Sequence, residues 1–84
     1  MKYFVYLILS KNKHKTLSYV GYTYDLKKRL NQHNTSKGAK FTKGRKWMIA
    51  YSKSYNSKSK AMKEEYKLKK NFKLRNTIKL NYYK

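Results

Sequence analysis

From Lys2 to Leu9 the chain reads Lys-Tyr-Phe-Val-Tyr-Leu-Ile-Leu, a nearly unbroken apolar and aromatic run that stops at the polar stretch Ser10 to Lys15. Its length and its β-branched and aromatic content predict a buried strand. Leu17 to Tyr22 is a second short run, and Lys11-Asn12-Lys13-His14-Lys15 between them is turn-like, so the two form a β-hairpin. Asp25 then offers an N-cap or a first-turn carboxylate, and Leu26 with Leu30 has the i, i+4 spacing of a buried helical face, ending near Asn34. Gly38 to Lys46 is a basic, glycine-containing loop, and Trp47 to Ser54 reads as a third strand. Ser57 caps a second helix from Lys58 to about Lys70, and Lys73 to Lys84 forms either a third short helix or a frayed tail. With no proline, repeat or linker, the pattern ββ-α-β-α-α describes one α+β domain over residues 1–84: a small three-stranded antiparallel sheet flanked by two or three helices.

Two of these helices carry polar residues on the side that should be packed. Arg29 and His33 lie at i+3 and i+7 from Leu26, inside the leucine stripe. On the second helix Glu65 falls ~40° from Ala61, within the stripe that also holds Leu68 and Phe72, whereas Glu64 turns toward the edge and the neighbouring lysines. A buried, unpaired carboxylate costs several kcal/mol or shifts its pKa, so Glu65 needs a cation or a metal nearby. Either a Glu65–Arg29 ion pair joins the two helices, or Glu65 belongs to an active site.

Charge narrows the partners. Against 23 Lys and Arg stand only 3 Asp and Glu, for a net charge of +20, and such a field favours polyanions, nucleic acid first among them. An anionic membrane surface fits less well, since no predicted helix joins a broad apolar face to a basic one. Without cysteine, and with no apolar run long enough for a membrane helix or a signal peptide, the expectation is a cytoplasmic protein, nucleoid-associated in a bacterium. His14, in the hairpin turn, reads as a solvated loop residue, and His14 with His33 does not make a zinc ligand set. A hard divalent ion held by one carboxylate, waters and substrate phosphates is the remaining metal option. Tyr6 and Tyr19, one in each hairpin strand, are candidate bases if the surrounding cations lower their phenol pKa. Lys40, Lys43, Arg45 and Lys46, interleaved with Phe41 and Trp47, form a candidate grip for a nucleic-acid backbone with aromatics at hand for a base.

These residues, in this order, resemble the GIY-YIG nuclease superfamily, in its small single-domain branch. Phe4-Val5-Tyr6 stands in the place of the first motif triplet and Tyr19-Val20-Gly21 in that of the second. The likeness continues through Asp25 to Leu30, Gln32-His33-Asn34, Gly38 to Arg45, and then Ala61, Glu65-Tyr66 and Leu68-Lys69. The first triplet keeps only its tyrosine. The resemblance implies an endonuclease that hydrolyses phosphodiester bonds in DNA, by nicking or by selecting a structure, with little sequence specificity and a role in repair or recombination. One Mg²⁺ or Mn²⁺ ion would be held by Glu65. Tyr6 would be the general base, Tyr19 would orient the water, Arg29 would stabilise the phosphoryl group, His33 would assist proton transfer or hold a phosphate, and Gly21 would be structural. The late asparagine of larger members has only Asn71 or Asn76 as a counterpart. Relatives often add a recognition domain, for which this chain has no room, so a protein partner would supply any specificity. RNA as the substrate, and a non-catalytic nucleic-acid-binding module, are the alternatives.

Overall fold

The computed structural model describes residues 1–12 and 14–82. Lys13 of the expected turn, and Tyr83 and Lys84 of the expected tail, lie outside the described residues. Strands β1 (Tyr3–Lys11), β2 (Thr16–Thr23) and β3 (Met48–Tyr55) form one antiparallel sheet in the order β2-β1-β3. The central place of β1 explains why its sequence is a continuous apolar run rather than an alternation, since Val5 through Leu9 are buried and so both faces are covered.

Helix α1 (Leu26–Asn34) covers one face. Its N-cap is Asp25, whose Oδ1 accepts from the Lys28 N–H at 3.1 Å, and Leu26 and Leu30 pack with Tyr6, Ile8 and Trp47. Helix α2 (Lys58–Lys70) covers the other face, where Ala61 and Leu68 join Val5, Leu7 and Val20. Its cap is Ser57, accepting from the Lys60 N–H at 3.1 Å. Helix α3 (Phe72–Tyr82) follows and brings Ile78 against the same cluster. The fold is therefore the expected small α+β arrangement, with three helices around a three-stranded sheet.

Two local expectations are corrected, and one loop gains a turn that was not expected. Phe72 does not continue the α2 stripe: α2 stops at Lys70, Asn71 caps the next helix by accepting from the Leu74 N–H at 3.1 Å, and Phe72 starts α3 with 70% of its surface exposed. The loop after α1 contains a 3₁₀ turn, Lys40–Thr42, that no hydrophobic period signals. Trp47 precedes β3 instead of opening it. Its backbone is clamped on both sides by the Asn34 amide, with Trp47 N–H to Oδ1 at 2.6 Å and Nδ2 to the Trp47 carbonyl at 3.1 Å, which ties the end of α1 to the start of the third strand.

Candidate active site

Tyr6 on β1 faces Gly21 on β2 in direct register, so its ring lies across the glycine. A Cβ at Gly21 would collide with the Tyr6 hydroxyl and sit 2.6 Å from Cζ. The missing side chain is what lets the Tyr6 phenol lie flat against the neighbouring strand and extend toward α1. There its hydroxyl meets His33 Nε2 at 2.8 Å, and His33 Nδ1 meets Thr42 Oγ1 at 2.9 Å. Gly38 makes room in the same way for His33, since a Cβ there would strike the imidazole. Tyr19, opposite Ile8, sets its ring edge-on to His33 with centroids 5.2 Å apart.

Tyr6, Tyr19 and Gly21 line an open cleft of about 580 Å³ together with Arg29 of α1 and Glu65 of α2. Lys28, Gln32 and Lys58 also border it. The cleft wraps around the end of β2, a sheet edge, and so it collects side chains from helices that lie on opposite faces. Arg29 is half-buried, and its Nη1 donates to Gln32 Oε1 at 3.0 Å. Glu65 is 19% exposed in its side chain and has Lys69 Nζ at 3.7 Å, one helical turn on, as its ion pair. Glu64 pairs instead with Lys67 at 3.3 Å on the surface, as its place on the helix predicts.

Burial sets the protonation states. His33 is 0% exposed, and burial first, then the Arg29 charge, lower its pKa from the usual 6.5 to about 4, so the imidazole is neutral at pH 7. The Tyr6 phenol is pushed up by its own burial, which outweighs the opposing pull of Arg29. The sequence-based expectation that neighbouring cations would lower this phenol is thus reversed. His33 is absent from the cleft lining but touches it through the Tyr6 hydroxyl, which meets Nε2, and through the Tyr19 ring.

The basic loop residues Lys40, Lys43, Arg45 and Lys46 are all exposed, and none of them is part of the cleft lining. Phe41 connects them to it: 49% exposed, it stacks on Tyr19 at 6.2 Å between centroids with 20° between planes, and the Arg45 guanidinium lies 5.7 Å above it. Trp47, expected to serve a base in the same way, is 1% exposed and donates its Nε1–H to the Thr42 carbonyl at 3.0 Å, so it belongs to the core. Asn71 is spent on capping α3, and neither it nor Asn76 borders the cleft.

Among the described residues no three His, Asp or Glu side chains converge on one point, so no multi-ligand metal cage is built. Two carboxylates border the open cleft, Asp25 and Glu65; Asp25 Oδ1 accepts from the Lys28 N–H as the cap of α1, and Glu65 fits a hard divalent ion that takes its other oxygens from water and phosphate. Sequence reasoning missed Lys58, Gln32 and Thr42. A lysine among so many carries no signal, and Thr42 acquires meaning only when the loop folds back under His33.

The model of the GIY-YIG catalytic domain matches residues 2–79. A UPF0213 protein of Oceanobacillus iheyensis is 41% identical over 69 residues, spanning 81% of this chain and 77% of that one. A UPF0213 protein of Streptococcus agalactiae is 54% identical over 48 residues, 56% of this chain, and the match covers about half, 54%, of that relative's own length. The solution NMR structure of a UPF0213 protein from Bacillus halodurans superposes with a TM-score of 0.49 at 34% identity, covering 95% of this chain and 85% of that one.

Proposed function

This chain belongs to the GIY-YIG catalytic-domain family, and we propose that it is an endonuclease hydrolysing phosphodiester bonds in DNA, by nicking or by structure selection, with little sequence specificity. The observation that carries the reading is that Tyr6, Tyr19, Arg29 and Glu65, contributed by β1, β2, α1 and α2, border one cleft, with the Tyr6 hydroxyl bonded to a buried neutral histidine. A net charge of +20 supplies the attraction for the polyanion.

The chain's own groups divide the work as follows. Arg29 sits at the cleft wall with a guanidinium fork matched to phosphoryl oxygens, where it neutralises charge that grows during the reaction. Tyr6 does not act as a standing phenolate, because burial holds its proton on. It relays instead: as Tyr6 Oη takes a proton from the attacking water, its own proton passes to His33 Nε2, and the water oxygen forms the new bond to phosphorus while the ester P–O bond breaks. The departing alkoxide takes a proton from solvent in the open cleft, and the imidazolium returns its proton through Tyr6. A bound phosphate near Arg29 offsets the charge that helps depress His33, so the substrate itself makes the imidazole a better acceptor. Tyr19 orients the water from the second strand. Glu65 would hold one Mg²⁺ or Mn²⁺, which supplies Lewis-acid stabilisation of the phosphoryl charge when bound. Lys40, Lys43, Arg45 and Lys46 grip the strand's phosphates.

The direct test is nicking of supercoiled plasmid in Mg²⁺ or Mn²⁺ by the wild type, Glu65→Ala and Arg29→Ala. The reading expects loss of nicking in both variants. Equal cleavage by all three proteins would remove the site assignment, and salt-sensitive DNA binding without any cleavage would favour a binding module. Competition with RNA of the same length decides the substrate.

A further inference from the structure

We propose that Thr42 is a positioning residue that holds His33 in the tautomer with Nδ1 protonated, so that Nε2 is kept bare for the proton of Tyr6. For its catalytic consequence this rests on the relay described above, but the tautomer can be read without any turnover.

The direction of the hydrogen bonds follows from counting protons. Thr42 is fully buried, and its single hydroxyl proton is given to the Ala39 carbonyl at 2.8 Å. Toward His33 Nδ1, 2.9 Å away, its oxygen can therefore only accept, and Nδ1 must carry a hydrogen. A neutral imidazole has one such hydrogen, which leaves Nε2 with a free lone pair. At 2.8 Å from it, the Tyr6 hydroxyl is then the donor. The chain runs one way, from the Tyr6 hydroxyl through the imidazole and Thr42 to a backbone carbonyl, and a carbonyl has no proton to send back. With Nε2 protonated instead, the bare Nδ1 would face an oxygen whose proton is already committed, and the Tyr6 hydroxyl could only accept from the ring.

The loop between α1 and β3 is shaped for this contact. The 3₁₀ turn directs both the Thr42 hydroxyl and the Thr42 N–H, at 3.0 Å, to the Ala39 carbonyl, and the absent side chain of Gly38 clears the space beside Nδ1. The groups facing His33 are the Tyr6 hydroxyl from β1, the Tyr19 ring edge from β2 and the Arg29 charge from its own helix. None of them selects between the two ring nitrogens in the way that Thr42 does. A valine has nearly the shape of threonine but neither accepts nor donates, so it isolates the hydroxyl's role.

Long-range ¹H–¹⁵N correlation of the histidine side chains in the full chain, in a His14→Gln background that leaves one imidazole, reads the tautomer directly. The wild-type ring is expected with a protonated-type Nδ1 and a bare-type Nε2. Thr42→Val shifts the ring toward the Nε2-protonated form and lowers kcat for plasmid nicking at least ten-fold with KM unchanged, and Thr42→Ser restores both. An Nε2-protonated wild-type ring overturns the proposal by itself, even if Thr42→Val does not fold. So does a folded Thr42→Val that keeps the wild-type tautomer. A ring that responds as expected in a protein that never cleaves upholds the assignment of Thr42 and sinks the nuclease reading instead.

Discussion

The Tyr6 hydroxyl and His33 Nε2 stand 2.8 Å apart in a buried contact that joins the first strand to the first helix across 27 residues of sequence. Among the described residues it is the one hydrogen bond linking a cleft-lining side chain to His33, so removing the hydroxyl breaks that bond without emptying the core. Tyr6→Phe is expected to keep the fold and to lower the nicking rate by about 10²- to 10⁴-fold, the usual worth of positioned acid–base catalysis. Single-turnover nicking beside a thermal melt checks it. A Tyr6→Phe protein cutting at the wild-type rate would end the relay.

Acid should destabilise the fold through His33. Its folded pKa of about 4 lies below the ordinary 6.5, so between these values the unfolded chain binds the additional proton and stability falls as pH falls. The contribution is fully present above pH 6.5, and the loss over the window is roughly 3 kcal/mol. Urea midpoints from pH 7 to pH 4 should follow this course. A His33→Gln protein, whatever its starting stability, should show a flatter slope.

Space is as specific as contact at Gly21 and Gly38. Gly21→Ala drives a methyl into the Tyr6 phenol and Gly38→Ala drives one into the His33 ring. Each is expected to cost about 1–3 kcal/mol, the usual toll of overpacking, and to reduce nicking by displacing one end of the Tyr6–His33 contact. Thermal midpoints and nicking rates measured together test this. Gly44→Ala is the comparison variant, since nothing lies within 4 Å of a Cβ there, although its φ of +72° strains an alanine.

Nucleic-acid binding should divide into two parts. Each alanine at Lys40, Lys43, Arg45 or Lys46 lowers the slope of log affinity against log salt by about 0.7–0.9 if that residue neutralises a phosphate. Phe41→Ala leaves the slope alone and weakens binding of a single strand by about 1–3 kcal/mol if a base stacks on the exposed ring. Fluorescence anisotropy with labelled oligonucleotides in EDTA separates the two. A salt slope unchanged by all four basic substitutions would remove this loop from the interface.

Chelation by EDTA should abolish nicking and added Mg²⁺ or Mn²⁺ should restore it, while Glu65→Gln stays inactive at any concentration that rescues the wild type. Cleavage that persists in EDTA would leave Glu65 without its assigned role.

Much of the architecture was legible because hydrophobic period and capping chemistry act locally. The nearly unbroken run from Lys2 to Leu9 announced a buried strand, and Asp25 and Ser57 announced the two helix starts. The same stripes singled out Arg29 and Glu65, which do border one cleft. What was hidden depends on contacts distant in the chain. The break at Asn71 turns Phe72 outward although the helical count places it inward. Thr42 and Gly38 matter only because a loop folds beneath an imidazole, and the protonation of Tyr6 was misjudged because burial, which outweighs charge there, cannot be counted from composition.

The cleft opens around a sheet edge, and its two charged walls belong to helices anchored in separate hydrophobic clusters. The distance between guanidinium and carboxylate is consequently a property of sheet thickness and twist, gauged by residues such as Leu7 and Leu68 that never see the substrate. Trimming those apolar spacers is expected to change that distance, and with it the proposed reaction, although neither charged residue is itself replaced.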